Sequence, residues 1–344
     1  MTELARRQVL AVMATAAAIV ASCKMPEQSP PGVIGMCVHM IDSDPVDMAR
    51  QFDLMARMHV TFVRVDFNWA AVEGTRGQYD WSYTDRIVEH AAARGMEILA
   101  LLSYTPGWAR PPGTTTHDAP TRTVDFAEFA RAAAKRYLTR GVRSWEIWNE
   151  PNSSDHWHPR PDVNRYGELF TAAAAAIRNI DPDATVMTGG LTRGGDTPDG
   201  RRISQITFLS GLYRNGAAQV ADAIAIHPYS FPYLPSGSAE GIEGTYQSLP
   251  AIRALTRRYG DTEKKIWITE FGAPTGTDPE AMSERDQATS LLEARRLAES
   301  WEWVGPLIFY EVRDGGTDPT DLEQNFGVVR ADMTPKDAAK ALMR

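Results

Sequence analysis

Cysteine is nearly absent from this chain. Its 344 residues hold two, Cys23 and Cys37, which leaves no disulfide framework and no thiolate metal site, so the fold has to hold by packing. A basic excess is absent as well: 36 lysines and arginines face 44 aspartates and glutamates, for a formal charge of −8. An acidic surface argues against a nucleic-acid partner. No glycine-rich phosphate turn follows the first apolar run, where the chain reads "HMIDSDP", and an open, doubly wound nucleotide-binding sheet would want one. What is present is ordinary for a globular protein. Apolar residues make up 43% and charged residues 23%, which speaks against disorder and against a coiled coil.

The first residues differ from the rest. Arg6 and Arg7 precede "QVLAVMATAAAIVASC", an apolar run that is too short to span a bilayer. A basic head, a short apolar body and a small-residue exit describe an export signal over residues 1–22, and the paired arginines resemble a twin-arginine signal. Removing it takes away Glu3, Arg6 and Arg7 and makes the mature chain more acidic still. "VASC" resembles a loosened lipobox, with Val20 where leucine is usual and Cys23 as the residue to be lipidated. Ordinary cleavage nearby with a free thiol is the alternative. Residues 23–32, including "KMPEQSPPG", are polar and proline-rich, as a tether to a folded domain would be.

From residue 33 onward eight short runs rich in branched and aromatic residues recur: "VIGMCVHM", "TFVRVDFNW", "EILALLSY", "SWEIWNE", "TVMTGGL", "AIAIHPY", "KIWITEFG" and "PLIFYEVRD". Segments with helical periodicity lie between them, such as "VDFAEFARAAAKRYL" and "VNRYGELFTAAAAAIRNI". The runs start roughly forty residues apart, the room one strand, one helix and two loops need. Fully buried parallel strands explain the continuous apolar runs. The pattern predicts an α/β fold, a single (β/α)8 barrel over residues 33–344.

In such a barrel, chemistry collects at the C-terminal ends of the strands. Glu150 ends the fourth run, where Pro151 stops the strand, and Glu270 ends the seventh. A carboxylate at the end of an apolar strand is costly unless it is paired or used. Across a barrel mouth two such groups come within about 5 Å, the spacing of a nucleophile and an acid/base in glycoside cleavage. "WNEPN" and "ITEFG" resemble the two catalytic motifs of clan A glycoside hydrolases. "FVRVDFNW", "HPY" and "FGVVRADMTPKDAAKAL" add to the resemblance, which covers residues 33–342 and is nearest to glycoside hydrolase family 39, with its related bacterial exopolysaccharide hydrolases.

That resemblance implies a retaining mechanism, with Glu150 as general acid/base and Glu270 as nucleophile. Beside ionised Glu270, Glu150 is expected to have a raised pKa and to carry a proton. The resemblance further implies that Asn149 holds a sugar 2-hydroxyl, that Tyr229 of the pair His227 and Tyr229 donates to Glu270, and that Arg64 and His39 belong to the site. Trp69, Trp108 and Trp148 stand at or just beyond strand ends, where an indole face can stack on a pyranose or simply fill the core. The eighth run, "LIFYEVRD", lacks the tryptophan that many clan members place beneath the sugar, and Tyr310 and Arg313 are the candidates there. His156 and His158 in "SSDHWHPRPD" admit a metal reading, with a rim loop beside the acid as the favoured one; "DGGTDPTDLEQN" admits calcium. The reading calls for no metal and no cofactor.

The expectation is therefore an exported, lipid-anchored, monomeric retaining glycosidase. It would act on an oligo- or polysaccharide of the envelope or the exterior, without nucleic acid as partner. A carbohydrate-binding lipoprotein without turnover and a transglycosylase with the same site are the alternatives.

Overall fold

The computed structural model describes residues 33–344 except 42 and 238–240. The expected export signal (1–22) and the tether (23–32) with Cys23 lie outside the described residues.

Seven of the eight apolar runs contain a strand, and the eighth strand starts two residues ahead of its run: β1 (Ile34–Val38), β2 (Phe62–Asn68), β3 (Glu97–Ser103), β4 (Ser144–Ile147), β5 (Thr185–Thr188), β6 (Ala223–His227), β7 (Lys265–Phe271) and β8 (Val304–Phe309). All neighbouring strands pair in parallel, from Gly35↔Phe62 between β1 and β2 round to Gly35↔Ile308 between β1 and β8. The ring closes where β5 touches β6 at Met187↔Ala223. The fold is a single (β/α)8 barrel, as the strand-helix alternation predicts. Beyond the Gly189–Gly190 break after β5, Leu191–Thr192 rejoins the ladder against Ile226 and His227.

Capping starts the helices where the sequence changes period. Asp44 accepts the amides of Val46 and Asp47 ahead of helix Pro45–Arg57, which carries proline in its first turn. Asp162 does the same for helix Val163–Arg178, and so fixes the end of the loop that follows β4. The apolar faces of these helices pack on the outside of the barrel. Phe52, Phe126, Phe129, Phe170 and Phe208 are fully buried there, each stabilising the fold by about 1.5–3 kcal/mol relative to exposure.

Inside the barrel the alternation of strand side chains builds a second, smaller apolar cluster of Cys37, Phe62, Leu99, Met187, Ala223, Ala225 and Ile308. Above it, toward the C-terminal ends of the strands, the interior turns polar, with Arg64, Glu146 and Thr269 all buried. The candidate site rests on that polar layer.

Candidate active site

β4 ends at Ile147, and the residues that follow turn sharply. Trp148 has φ +69° and Glu150 φ +45°, left-handed backbone that costs a residue with a side chain about 1–3 kcal/mol. The two side chains go different ways. Trp148 is buried against Trp157, with ring centroids 5.2 Å apart, and donates its Nε1–H to the carbonyl of His156 at 2.8 Å. Glu150 turns into a cavity of about 490 Å³ at the barrel mouth, and its amide donates to the carbonyl of Gly190 at 3.1 Å.

Glu270, near the end of β7, enters the same cavity. One of its oxygens accepts from Arg64 Nη1 and the other from the Tyr229 hydroxyl at 2.8 Å. Both partners are donors that suit an anionic carboxylate. Glu150 is surrounded differently. His227 Nδ1 lies 2.9 Å from Oε1, and His156 Nδ1 lies 3.1 Å from Oε2 but off the line of a hydrogen bond. An oxygen of Glu150, an oxygen of Glu270 and a ring nitrogen of His227 all lie within 4.8 Å of one another. That spacing suits a divalent cation as well, but every oxygen of the two carboxylates already faces a protein nitrogen or hydroxyl, and one of those partners is a guanidinium. The donor set describes a hydrogen-bonded carboxylate pair.

Arg64 is 3% exposed and Glu146 0%. Arg64 Nε donates to Glu146 Oε2 at 2.6 Å, and Nη2 reaches Glu146 Oε1 at 3.3 Å and Asn149 Oδ1 at 2.8 Å. The amide of Gly190 (2.8 Å) and the Thr269 hydroxyl (3.0 Å) complete the shell of Glu146. A buried charge persists only when paired and hydrogen-bonded in this way.

Charge states follow from these neighbours. Burial pushes the Glu150 carboxyl up, yet the contacts with His156 and His227 outweigh it and hold the group below the usual carboxylate range. This corrects the expectation of a raised value, which considered Glu270 alone and no imidazole. Burial works against a charged His39 too, but Asp66 and Glu311, 3.5 and 3.6 Å away, lift it to about 9. Burial pushes Glu311 up to about 7 and raises the Tyr229 hydroxyl well above its ordinary value.

The structure brings Glu150, Glu270, Asn149, Arg64, Tyr229, His39 and Tyr310 to the cavity, with His227 directly beneath Glu150. Four candidates are corrected. Trp69 is buried among Phe126, Phe129 and Trp108, with its Nε1–H given to Glu73. Trp108 donates to the Glu73 carbonyl and lies under Arg76. Trp148 faces the core because of the left-handed turn. Arg313 leaves the mouth to pair with Asp47 at 3.3 Å. The aromatic wall is instead Tyr229, Phe231, Tyr310 and Phe326, which pack on one another. Of the rim histidines, His156 reaches Glu150, whereas His158 turns to Asp118 and Thr115; they do not converge on one point. In the loop read for calcium, Asp314 pairs with Lys336, and Asp318 and Asp321 accept from the loop itself.

Glu146, Thr269 and Gly190 went unread in the sequence. Glu146 and Arg64 carried a signal: each is a charged residue in the middle of an otherwise apolar strand, and opposite charges inside one barrel must find each other. Gly190 is required by close approach, since a Cβ there would lie 2.0 Å from His227 Nε2.

Residues 25–304 match the model of the family described as cellulase (glycosyl hydrolase family 5). The chain is 24% identical over 193 residues to a beta-xylosidase of Geobacillus stearothermophilus, a match spanning 52% of this chain and 36% of that protein. Among solved structures, a family 39 glycoside hydrolase from the gut symbiont Bacteroides cellulosilyticus WH2 is 25% identical with a TM-score of 0.72, covering 90% of this chain and 62% of the other. A glucosidase from Croceicoccus marinus shares the fold at 17% identity and a TM-score of 0.64, covering 85% of this chain and 62% of the other. The family model spans most of the chain and the barrel places a carboxylate pair at its mouth: the chain belongs to glycosyl hydrolase family 5, the cellulase family, and is a clan A glycoside hydrolase near family 39.

Proposed function

We propose that this glycosidase works by double displacement with retention of configuration, Glu270 being the nucleophile and Glu150 the acid/base. The asymmetry of the two carboxylates carries the reading. Glu270 accepts its hydrogen bonds from a guanidinium and a phenol, as an anionic nucleophile needs. Glu150 touches two imidazoles, whose ring nitrogens can hold or give up a proton beside it. An oxygen of each carboxylate lies within 4.8 Å of the other, short of the roughly 6.5–9.5 Å at which inverting enzymes hold their carboxyl groups apart. Asn149, fixed through its Oδ1 by Arg64, lines the cavity, where its amide NH₂ would hold a sugar hydroxyl.

The substrate in this reading is an oligo- or polysaccharide of the cell envelope or the exterior, and the enzyme is exported and lipid-anchored at Cys23. Support comes from the paired arginines, the short apolar run and the "VASC" junction of the sequence.

The roles are tested by separate replacement. Glu150→Ala should slow substrates with poor leaving groups by 100-fold or more, roughly the worth of general acid catalysis, while activated aryl glycosides suffer little in the first step. Glu270→Ala should abolish both, because no glycosyl-enzyme forms. Azide should rescue each variant and give opposite anomers of the glycosyl azide. Equal loss on every substrate with no rescue contradicts the assignment.

A further inference from the structure

Resting on the roles just proposed, we infer that Glu146 and Thr269, neither of which lines the cavity, lock His227 in its Nε2–H tautomer. His227 Nδ1 and Glu150 then hold one proton between them, the proton that leaves with the departing sugar.

A neutral imidazole carries one N–H, and the partner of one nitrogen decides the state of the other. The Thr269 hydroxyl has a single hydrogen and two neighbours, Glu146 Oε1 and His227 Nε2, each at 3.0 Å. Glu146 receives the Arg64 guanidinium on both oxygens and the Gly190 amide on one, so it is a carboxylate with no proton to give. Thr269 therefore donates to Glu146, and its oxygen accepts from His227 Nε2–H. Gly190 packs against the same nitrogen so closely that the ring has no room to shift there.

His227 Nδ1 consequently points at Glu150 Oε1 at 2.9 Å and toward Glu270 Oε2 at 3.5 Å. With a neutral ring and two ionised glutamates, a lone pair would face two anions in a buried site. One proton, on Nδ1 or on Oε1, removes that repulsion. Around the pair, Arg64 is engaged on Glu270 and Glu146, the Tyr229 hydroxyl on Glu270, His156 on the far oxygen of Glu150 and Asp155 with Arg202, while Glu323 lines the same cavity as a further acidic group facing Glu150.

In the first step the shared proton passes through Glu150 to the glycosidic oxygen as the bond from that oxygen to the anomeric carbon breaks, while a Glu270 oxygen bonds to that carbon. In the second step water oxygen bonds to the anomeric carbon, the Glu270 ester bond breaks, and a water proton returns to the Glu150–His227 pair. Proton and bond counts are restored. Glu146 and Thr269 act as positioning residues.

Ring-nitrogen NMR of the full-length protein labelled at histidine with ¹⁵N reads the tautomer with no sugar present, the His227 signals being assigned by their loss in His227→Asn. Nε2 of the wild type should be protonated across the accessible pH range. Thr269→Val should free the ring to place its proton on Nδ1, so that an ionised Glu150 is satisfied with one proton fewer in the pair. The alkaline limb of kcat/KM on a 4-nitrophenyl glycoside should then move down by about one pH unit, and Thr269→Ser should restore both tautomer and limb. A wild-type His227 protonated on Nδ1 alone overturns the proposal whether or not the variant folds, as does a Thr269→Val enzyme with the wild-type tautomer and limb. Azide rescue of the glutamate variants does not depend on the tautomer, so the two readings fail separately. Rescue without the Nε2–H tautomer removes the lock and leaves the roles. The tautomer without rescue removes the catalytic use of the lock.

Discussion

A glutamate at a strand end means little until its neighbours are known. Glu150 and Glu270 sit in similar positions, yet one meets imidazoles and the other a guanidinium and a phenol, and this difference assigns their proposed work. Glu311 shows the cost of a carboxyl with poorer company. It is 5% exposed, His39 lies 3.6 Å away as its one cationic partner among the described residues, and burial lifts it from 4.5 to about 7. The folded state thus holds this proton more tightly than the unfolded chain. Its contribution is full below about pH 4.5 and is lost as pH rises through 7, a difference of up to about 3 kcal/mol. Urea midpoints of the wild type should accordingly fall between pH 5 and pH 8, and Glu311→Gln should flatten that decline by 1–3 kcal/mol, within the same bound. Parallel curves for the two proteins would show that Glu311 ionises without penalty. The sequence could not disclose this, because "YEVRD" reads as the exit of a strand and says nothing of a burial set by residues far away in the chain.

At the scale of elements, the eight strands were legible because a parallel barrel buries both faces of each strand and so writes apolar runs. The end of β7 was legible too, since Gly272 punctuates it, whereas β4 stops at Ile147, four residues before the Pro151 read as its terminator. Side-chain direction beyond the strand ends was not legible. Trp148 looked available to a sugar, but the left-handed φ at that residue turns it into the core, and alternation along a strand no longer applies once the strand has ended. The break after β5 has the same character: two glycines in "TVMTGGL" suggest a turn, while their physical reason is the proximity of other elements. A Cβ on Gly189 would lie 2.3 Å from the Trp148 carbonyl, and one on Gly190 2.0 Å from His227 Nε2. Gly190→Ala should therefore push the β5 exit and the His227 ring apart, destabilise the fold by about 1–3 kcal/mol, and cost the Glu150–His227 contact. Thermal unfolding and kcat/KM should fall together. An alanine variant with wild-type turnover would show that the ring position is immaterial.

At the scale of the whole molecule, direction along the barrel matters. Every strand runs toward the mouth that holds Glu150 and Glu270, so the chain enters β1 at Ile34 on the end opposite the cavity. A lipid on Cys23 would tie this barrel to a membrane. Anchoring and turnover should then separate cleanly. Cys23→Ser should shift the protein from the membrane pellet to the soluble fraction and lose incorporation of labelled fatty acid, with kcat/KM on a soluble aryl glycoside unchanged. Its rate on polymer fixed in the envelope should fall, because the enzyme would no longer be concentrated at that surface. One acyl chain alone gives only marginal membrane binding, so the wild type should pellet firmly only if the modification adds more than one. Wild-type protein that takes up no fatty acid, or a Cys23→Ser variant that still pellets, would remove the anchor while leaving the barrel, its carboxylate pair and the export of the chain as separate questions.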